Sequence, residues 1–416
     1  MRLLKITLIA VGLLVLLKIA EIVLARVSPF TILFHQNLLK SLQLLVLGWL
    51  ILSLILSLLL KNKLYPVQRI SILSILFLAL VFELIFGYWL QHPAGIPSIL
   101  LPAFKEYYVN DYRHIIQVER NCSEYDERFF YRLRPNVQCN FSNIEFSTPI
   151  QTNSLGCRDD EASISQPDVI CLGDSYAMGW GVQQQEAFPQ RLQRMSGLKV
   201  LNAAMSSFGT VRELRKLQTL DTSNCKWIIL QYCDNDVEET KPFVDNLFSL
   251  KTSSSATYDS LVKKYEWGHV YYPGKTFLSV DNYLFRRAAK SLLRSSNDSI
   301  ITVGSLKVGM NESIRYFAET LSYFNIPLVN RNLLILYANE KEKPDQRFTT
   351  GLQQLLETPT YKEKFSNRVF LLNTSDLVGK EDRYLLDDHF RASGHEKIAA
   401  AIKKLMEQHP IQPPQP

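Results

Sequence analysis

Pro167-Asp-Val-Ile-Cys-Leu-Gly-Asp-Ser-Tyr-Ala-Met-Gly-Trp-Gly181 is the stretch on which the fold turns. Asp168 to Leu172 is a short apolar run that Gly173 ends. A glycine-containing loop follows, and the spacing then predicts a helix over about Glu186 to Met195. This strand-loop-helix unit recurs. Leu198 to Leu201 precedes Thr210-Val-Arg-Glu213, whose Thr and Glu spacing predicts a capping box opening a helix toward Leu220. A third strand, Trp227 to Tyr232, ends at Cys233-Asp-Asn-Asp236, and further strands are expected at Leu333 to Tyr337 and Val369 to Leu372. In the closing helix Ile398, Ala401, Ile402 and Leu405 share one face. Short apolar runs alternating with helices imply an α/β domain over 167–408. Its sheet is parallel and covered on both faces, because parallel neighbours need crossover helices.

In such a sheet ligands bind beyond the carboxyl ends of the strands, and the loops there carry Ser175, Gly209 and Asn235. The loop from Gly173 to Gly179 does not read as a phosphate cradle, since Trp180 and Gly181 stand where Lys and Ser or Thr are needed. Acyl transfer asks for a nucleophile, a base to take its proton, a group that orients the base, and donors for the developing oxyanion. Ser175 supplies the first and His389 the second. Asp387 or Asp388 supplies the third, and the backbone amides of Ser175 and Gly209 with the side-chain amide of Asn235 supply the last. This chemistry calls for no cofactor and no metal, and no C-x-x-C or Cys/His cluster points to zinc.

Taken in order, Gly173-Asp174-Ser175 after a strand, Gly209 after Asn202-Ala203-Ala204, Asn235-Asp236 after a strand, and Asp387-Asp388-His389 near the end resemble the motifs of SGNH (GDSL-like) hydrolases. The likeness covers roughly Pro167 to Met406. Asn153-Ser-Leu-Gly-Cys-Arg158 also resembles a lead-in of bacterial membrane-linked members. Alone, each motif has a plainer reading: Gly, Asp and Ser are common turn residues, and a histidine before a helix is ordinary. Their order carries the resemblance. It implies a three-layer α/β/α, flavodoxin-like domain with Ser175 as nucleophile, His389 as base, and Gly209 and Asn235 at the oxyanion. Many members place the acid three residues before the histidine, where this chain has Leu386; others use the shorter Asp-x-His spacing that Asp387 satisfies.

Upstream the composition changes. Three apolar stretches, about Leu4 to Leu24, Ser41 to Leu60 and Ile70 to Leu90, each approach the roughly 20 residues that span a hydrocarbon core of about 30 Å, so 1–90 is expected to hold three transmembrane helices. The second has no charge, the third only Glu83, and the first Lys5, Lys18 and Glu21. The opening Met-Arg-Leu-Leu-Lys also fits a cleavable signal peptide, although no small-x-small site follows. Lys61, Lys63 and Arg69 form a basic cluster that prefers the cytoplasm, which puts everything after Leu90 on the periplasmic or extracellular side of a cell (inner) membrane. Residues 91–166 read as a linker and lead-in, 241–281 as an irregular insertion, and 409–416 as a disordered Pro-rich tail.

The formal charge of +6 is scattered among acidic residues without a Lys/Arg tract, which argues against nucleic acid as a partner. All six cysteines lie after the apolar stretches, on the side where disulfides persist; Cys122 with Cys139 and Cys225 with Cys233 are possible pairs, and Cys171 reads as a buried thiol. The expected function is that of a membrane-anchored serine esterase or O-acyltransferase acting on ester-linked acyl groups of a cell-envelope glycan or lipid. The alternative is a catalytically inactive binding or assembly protein of the envelope that keeps the fold.

Overall fold

The computed structural model describes residues 64–268, 274–292, 300–303, 306–328, 330–338, 345–365 and 368–411. The first two expected apolar stretches and most of the Pro-rich tail lie outside the described residues. The chain divides into two units, residues 1–113 with 259–295, and residues 114–258 with 296–416.

The second unit opens with two antiparallel hairpins, β1 (Ser123–Asp126) with β2 (Phe130–Leu133) and β3 (Gln138–Asn143) with β4 (Phe146–Gln151). Then come β5 (Val169–Leu172), β6 (Val200–Asn202) and β7 (Trp227–Tyr232), a small hairpin of β8 (Ile300–Val303) and β9 (Leu306–Gly309), and finally β10 (Asn332–Tyr337) and β11 (Val369–Asn373). Five of these form a parallel sheet in the order β11-β10-β7-β5-β6. Along the chain this is the flavodoxin-like order, in which the connections diverge between the first and third strands and open a crevice at their carboxyl ends. The crevice lies between β5 and β7.

All residues of β5, β7 and β10 are buried, as expected for strands covered on both faces. Alternate side chains serve the two sides. Ile170, Leu172, Ile228, Leu230, Leu333 and Ile335 join one core with Leu214 and Leu217 from the helix Thr210–Leu217 and Ile314, Phe317 and Leu321 from the helix Met310–Phe324. The helices Phe188–Ser196 and Ala392–Gln408 pack on each other, the latter burying Ile398, Ala399, Ile402 and Met406. Every expected strand is present, and the domain is α/β with helices flanking a parallel sheet.

Two local expectations are corrected. Gly209, not Thr210, caps the helix Thr210–Leu217, and the capping box does not form because the Thr210 hydroxyl donates to Asp236 Oδ2 at 2.7 Å. Cys122 and Cys139 are disulfide-bonded, whereas Cys225 and Cys233 are free and buried. They flank β7, and an extended strand of that length holds its two ends far apart.

The first unit contains the helix Leu64–Gln91, in which the third expected apolar stretch falls, the short helix Leu101–Tyr107, and the helix Lys275–Leu292. Among the described residues no helix is long and apolar enough to cross a membrane. Phe77, Leu78, Leu80 and Leu84 are 51–65% exposed, so the described part of the first helix keeps an uncovered apolar surface. Glu83 is buried, and its carboxylate accepts the amides of Thr276 (3.3 Å) and Phe277 (2.7 Å), which caps the helix Lys275–Leu292. The stretch read as an irregular insertion therefore holds helices: the end of Val237–Asp245, then Ser255–Gly268 and Lys275–Leu292.

The Cys122–Cys139 bond closes a loop across a sequence separation of 17 residues. Replacing both cysteines by serine is expected to cost about 3 kcal/mol of stability, read as a lower urea midpoint of the second unit. An unchanged midpoint would show that the hairpins hold without the cross-link.

Candidate active site

Gly173 ends β5 with φ +150°, and a Cβ there would meet Gln231 Oε1 at 2.6 Å and Ala177 Cβ at 2.8 Å, so only glycine permits the turn. Asp174 follows as N-cap of the short helix Ser175–Met178; its carboxylate accepts the Tyr176 amide at 2.9 Å, and its own amide donates to Gln231 Oε1 at 2.9 Å. These bonds hold the strand-to-helix turn and present Ser175 at its tip.

His389 reaches the same point from just before the closing helix. Its Nε2 lies 2.8 Å from Ser175 Oγ, and its Nδ1 is bonded to the Asp387 carboxylate. His389 and Asp387 are buried while Ser175 is partly open, so the constellation is accessible from the serine side. The imidazole stacks between Tyr176 and Trp180, with ring centroids 4.7 and 5.2 Å away. Asp388 sits at φ +64°, and its carbonyl accepts from Arg383 at 3.0 Å. Geometry thus selects Asp387 over Asp388 as the acid on the imidazole.

Asn235 lies in the turn after β7 and Gly209 caps the helix that follows β6, and their bonds bear on their expected roles. Cys233 Sγ lies 2.6 Å from Asn235 Oδ1, so the thiol can donate to the amide oxygen and leave the NH2 end to donate elsewhere. The Gly209 amide, by contrast, donates to Glu239 Oε1 at 3.1 Å, and Glu239 is itself paired with Arg212. The ligand atoms of Asp174, Cys233 and Asp236 lie within 4.8 Å of one another, all buried. Burial raises the carboxyl of Asp174 above the usual range against the hydrogen bonds it accepts, and burial with repulsion from neighbouring carboxylates raises Asp236 and nearby Glu213 well above it. Within the cluster Asp236 accepts from Thr210 and the thiol lies 3.1 Å from Asp174 Oδ2, so internal hydrogen bonds use its polar atoms.

Three further residues escaped sequence reasoning. Asn153 Oδ1 accepts the amides of Leu155 (3.1 Å) and Cys157 (3.0 Å), and this turn delivers the fully buried Arg158 to the loop after the serine. The guanidinium donates to the carbonyls of Met178 (3.2 Å), Gly179 (2.5 Å) and Val182 (2.7 Å), and burial lowers it to about 10. His395, in the first turn of the closing helix, is buried and accepts the Phe188 amide on Nδ1 at 3.2 Å. The third, Glu145, binds the turn that carries Asp387. The only sequence signal for any of these was the Asn-Ser-Leu-Gly-Cys-Arg lead-in, which marked Arg158 without saying what it holds.

No protein-family model matches the chain, and no curated protein matches it. Among solved structures, one crystal structure is 16% identical with a TM-score of 0.28, covering 59% of this chain and 99% of its own. Another, from Streptococcus pneumonia and provisionally described as a platelet activating factor, is 14% identical with a TM-score of 0.31, covering 59% of this chain and 86% of its own. At these TM-scores neither likeness carries an argument about fold or activity.

Burial, with Arg158 and Arg191 nearby, lowers His395 to about 3 from an ordinary 6.5, so folding favours the neutral ring. Its contribution to stability is complete above about 6.5 and is lost as pH falls toward 3, at up to about 1.4 kcal/mol per unit. Unfolding free energies of the wild type and of His395→Gln, measured from pH 7 to 4, should therefore converge as pH falls. Parallel curves would contradict this assignment.

Proposed function

We propose that the chain is a membrane-anchored ester hydrolase or O-acyltransferase of the SGNH type, facing the outside of the cell membrane. Its substrate would be an ester-linked acyl group on a cell-envelope glycan or lipid, and an acyl-Ser175 intermediate would form. The observation that carries the reading is the continuous chain from Ser175 Oγ through His389 to Asp387 at the crevice of a parallel sheet.

In this mechanism Ser175 Oγ attacks the ester carbonyl as His389 Nε2 takes its proton. Asp387 holds Nδ1–H and steadies the imidazolium. The tetrahedral oxyanion takes a hydrogen bond from the Asn235 amide, and the Gly209 amide can join only when Glu239 gives it up. His389 returns the proton to the leaving alcohol. Water or a sugar hydroxyl then attacks the acyl-serine carbonyl through the same base, giving hydrolysis or transfer. The Cys122–Cys139 disulfide supports an oxidising compartment, and the exposed apolar residues of the helix Leu64–Gln91 support a bilayer contact. One observation favours the second reading, a binding or assembly protein that keeps this fold: Glu239 occupies the Gly209 amide that the oxyanion would need.

Fluorophosphonate labelling separates the two. The wild type should label and turn over a short-chain aryl ester, and Ser175→Ala should lose the label and at least about 10³-fold in rate. Folded wild type that does not label would favour the binding reading.

Replacement of the acid gives an independent check. Asp387→Asn should lower kcat by roughly 10⁴-fold, whereas Asp388→Asn should stay within severalfold of wild type. Equal losses would put the acid assignment in error.

A further inference from the structure

Glu145 stands in the tight turn between β3 and β4, in the lead-in, far from the catalytic motifs in sequence. Its carboxylate accepts three consecutive backbone amides: Leu385 on Oε1 at 2.7 Å, and Leu386 and Asp387 on Oε2 at 2.8 and 2.9 Å. Successive N–H groups that point to one side repel one another, and such a concave turn is stabilised by an anion seated in it. Here the anion is a side chain of the protein itself. Glu145 is half-buried; burial raises its carboxyl, the three amides oppose that rise, and nearby Asp387 adds to it.

The turn so held belongs to the catalytic loop. Its neck is closed by the Arg383–Phe390 bridge and by the Tyr384 amide donating to the His389 carbonyl at 2.9 Å. Those contacts fix where the loop starts and ends, while Glu145 fixes the segment between them, including the backbone of Asp387. The same hairpin reaches the imidazole a second way. Phe146 packs on Tyr384 and on Trp180, and Trp180 stacks on His389.

We propose that Glu145 is a positioning residue for the triad: its carboxylate locks the Leu385–Asp387 turn so that Asp387 stays on His389 Nδ1. The positioning follows from the hydrogen bonds; only its consequence for ester chemistry rests on the function proposed above. The other titratable groups facing His389 are Asp387 on its own loop, Asp174 and Tyr176 from the nucleophile segment, and His395 on the closing helix, with Tyr384 and Arg391 beside them. Glu145→Gln alters none of these. It does replace one acceptor oxygen by an NH2 that opposes the backbone amides.

The test is a titration of the full chain in detergent with histidine ring carbons isotopically labelled, the His389 signal among the seven histidines being identified by its loss in His389→Gln. Glu145→Gln should lower the His389 midpoint by about one pH unit, since an Asp387 displaced from Nδ1 no longer supports the imidazolium. With an aryl ester, kcat should fall at least about tenfold with KM within about twofold, and the acid limb of kcat/KM should move to lower pH. Glu145→Asp, which keeps the charge but withdraws it by one methylene, decides the matter if the Gln variant does not fold, and should lower the midpoint by a smaller step. A folded variant whose His389 midpoint equals that of the wild type overturns the proposal, even if its thermal stability has dropped. Wild type without Ser175-dependent turnover would instead count against the ester reading, and the midpoint would still decide the role of Glu145.

Discussion

A hydroxyl and an imidazole 214 positions apart in the chain meet at 2.8 Å, and that meeting constrains most of the second unit. Ser175 is placed by the end of the interior strand β5, where a glycine turn permits the approach. His389 is placed by the closing helix that follows it. That helix packs on Phe188–Ser196, the helix just after the nucleophile loop, and the Phe188 amide bonded to His395 ties the two together. One helix pair on one sheet face therefore fixes both partners, which is why the contact survives so long a separation in sequence.

The surroundings of the pair are polarised in a consistent way. Burial raises the carboxyls of Asp174, Asp236 and Glu213, and Asp387 is the acid in direct contact with the ring. Arg158 holds the carbonyls after the serine helix through buried charge-assisted bonds from both of its NH2 groups, which offset part of the cost of its burial, while its Nε finds no hydrogen-bond partner among the described residues. The lead-in hairpins, outside the parallel sheet, supply what that sheet cannot: a carboxylate under the catalytic turn and aromatic packing against Trp180, which stacks on the histidine.

The sheet was legible because its parallel strands are short, largely apolar runs, and Ser175, His389 and Asp387 were legible because they follow such runs or precede the last helix in a fixed order. The rest depended on contacts between distant residues. Glu145 looks like one more turn acid until the loop at Leu385 is seen resting on it. The Thr210 and Glu213 spacing suggested a cap, but a buried Asp236 competes for the hydroxyl. Glu83 looked like a stray charge in an apolar segment, and its partners are amides nearly two hundred residues later. Residues 241–281 read as an irregular insertion, yet a helix begins within them at Ser255.

The account turns on whether an acyl group passes through Ser175. Mixing the full chain with excess short-chain aryl ester, quenching in acid during the first turnovers and mapping the acyl adduct by peptide mass spectrometry addresses this directly. The account predicts one acyl group on the peptide containing Ser175, formed before steady state and lost on standing in water. Turnover with no covalent acyl-serine, or with the acyl group on another residue, would contradict it.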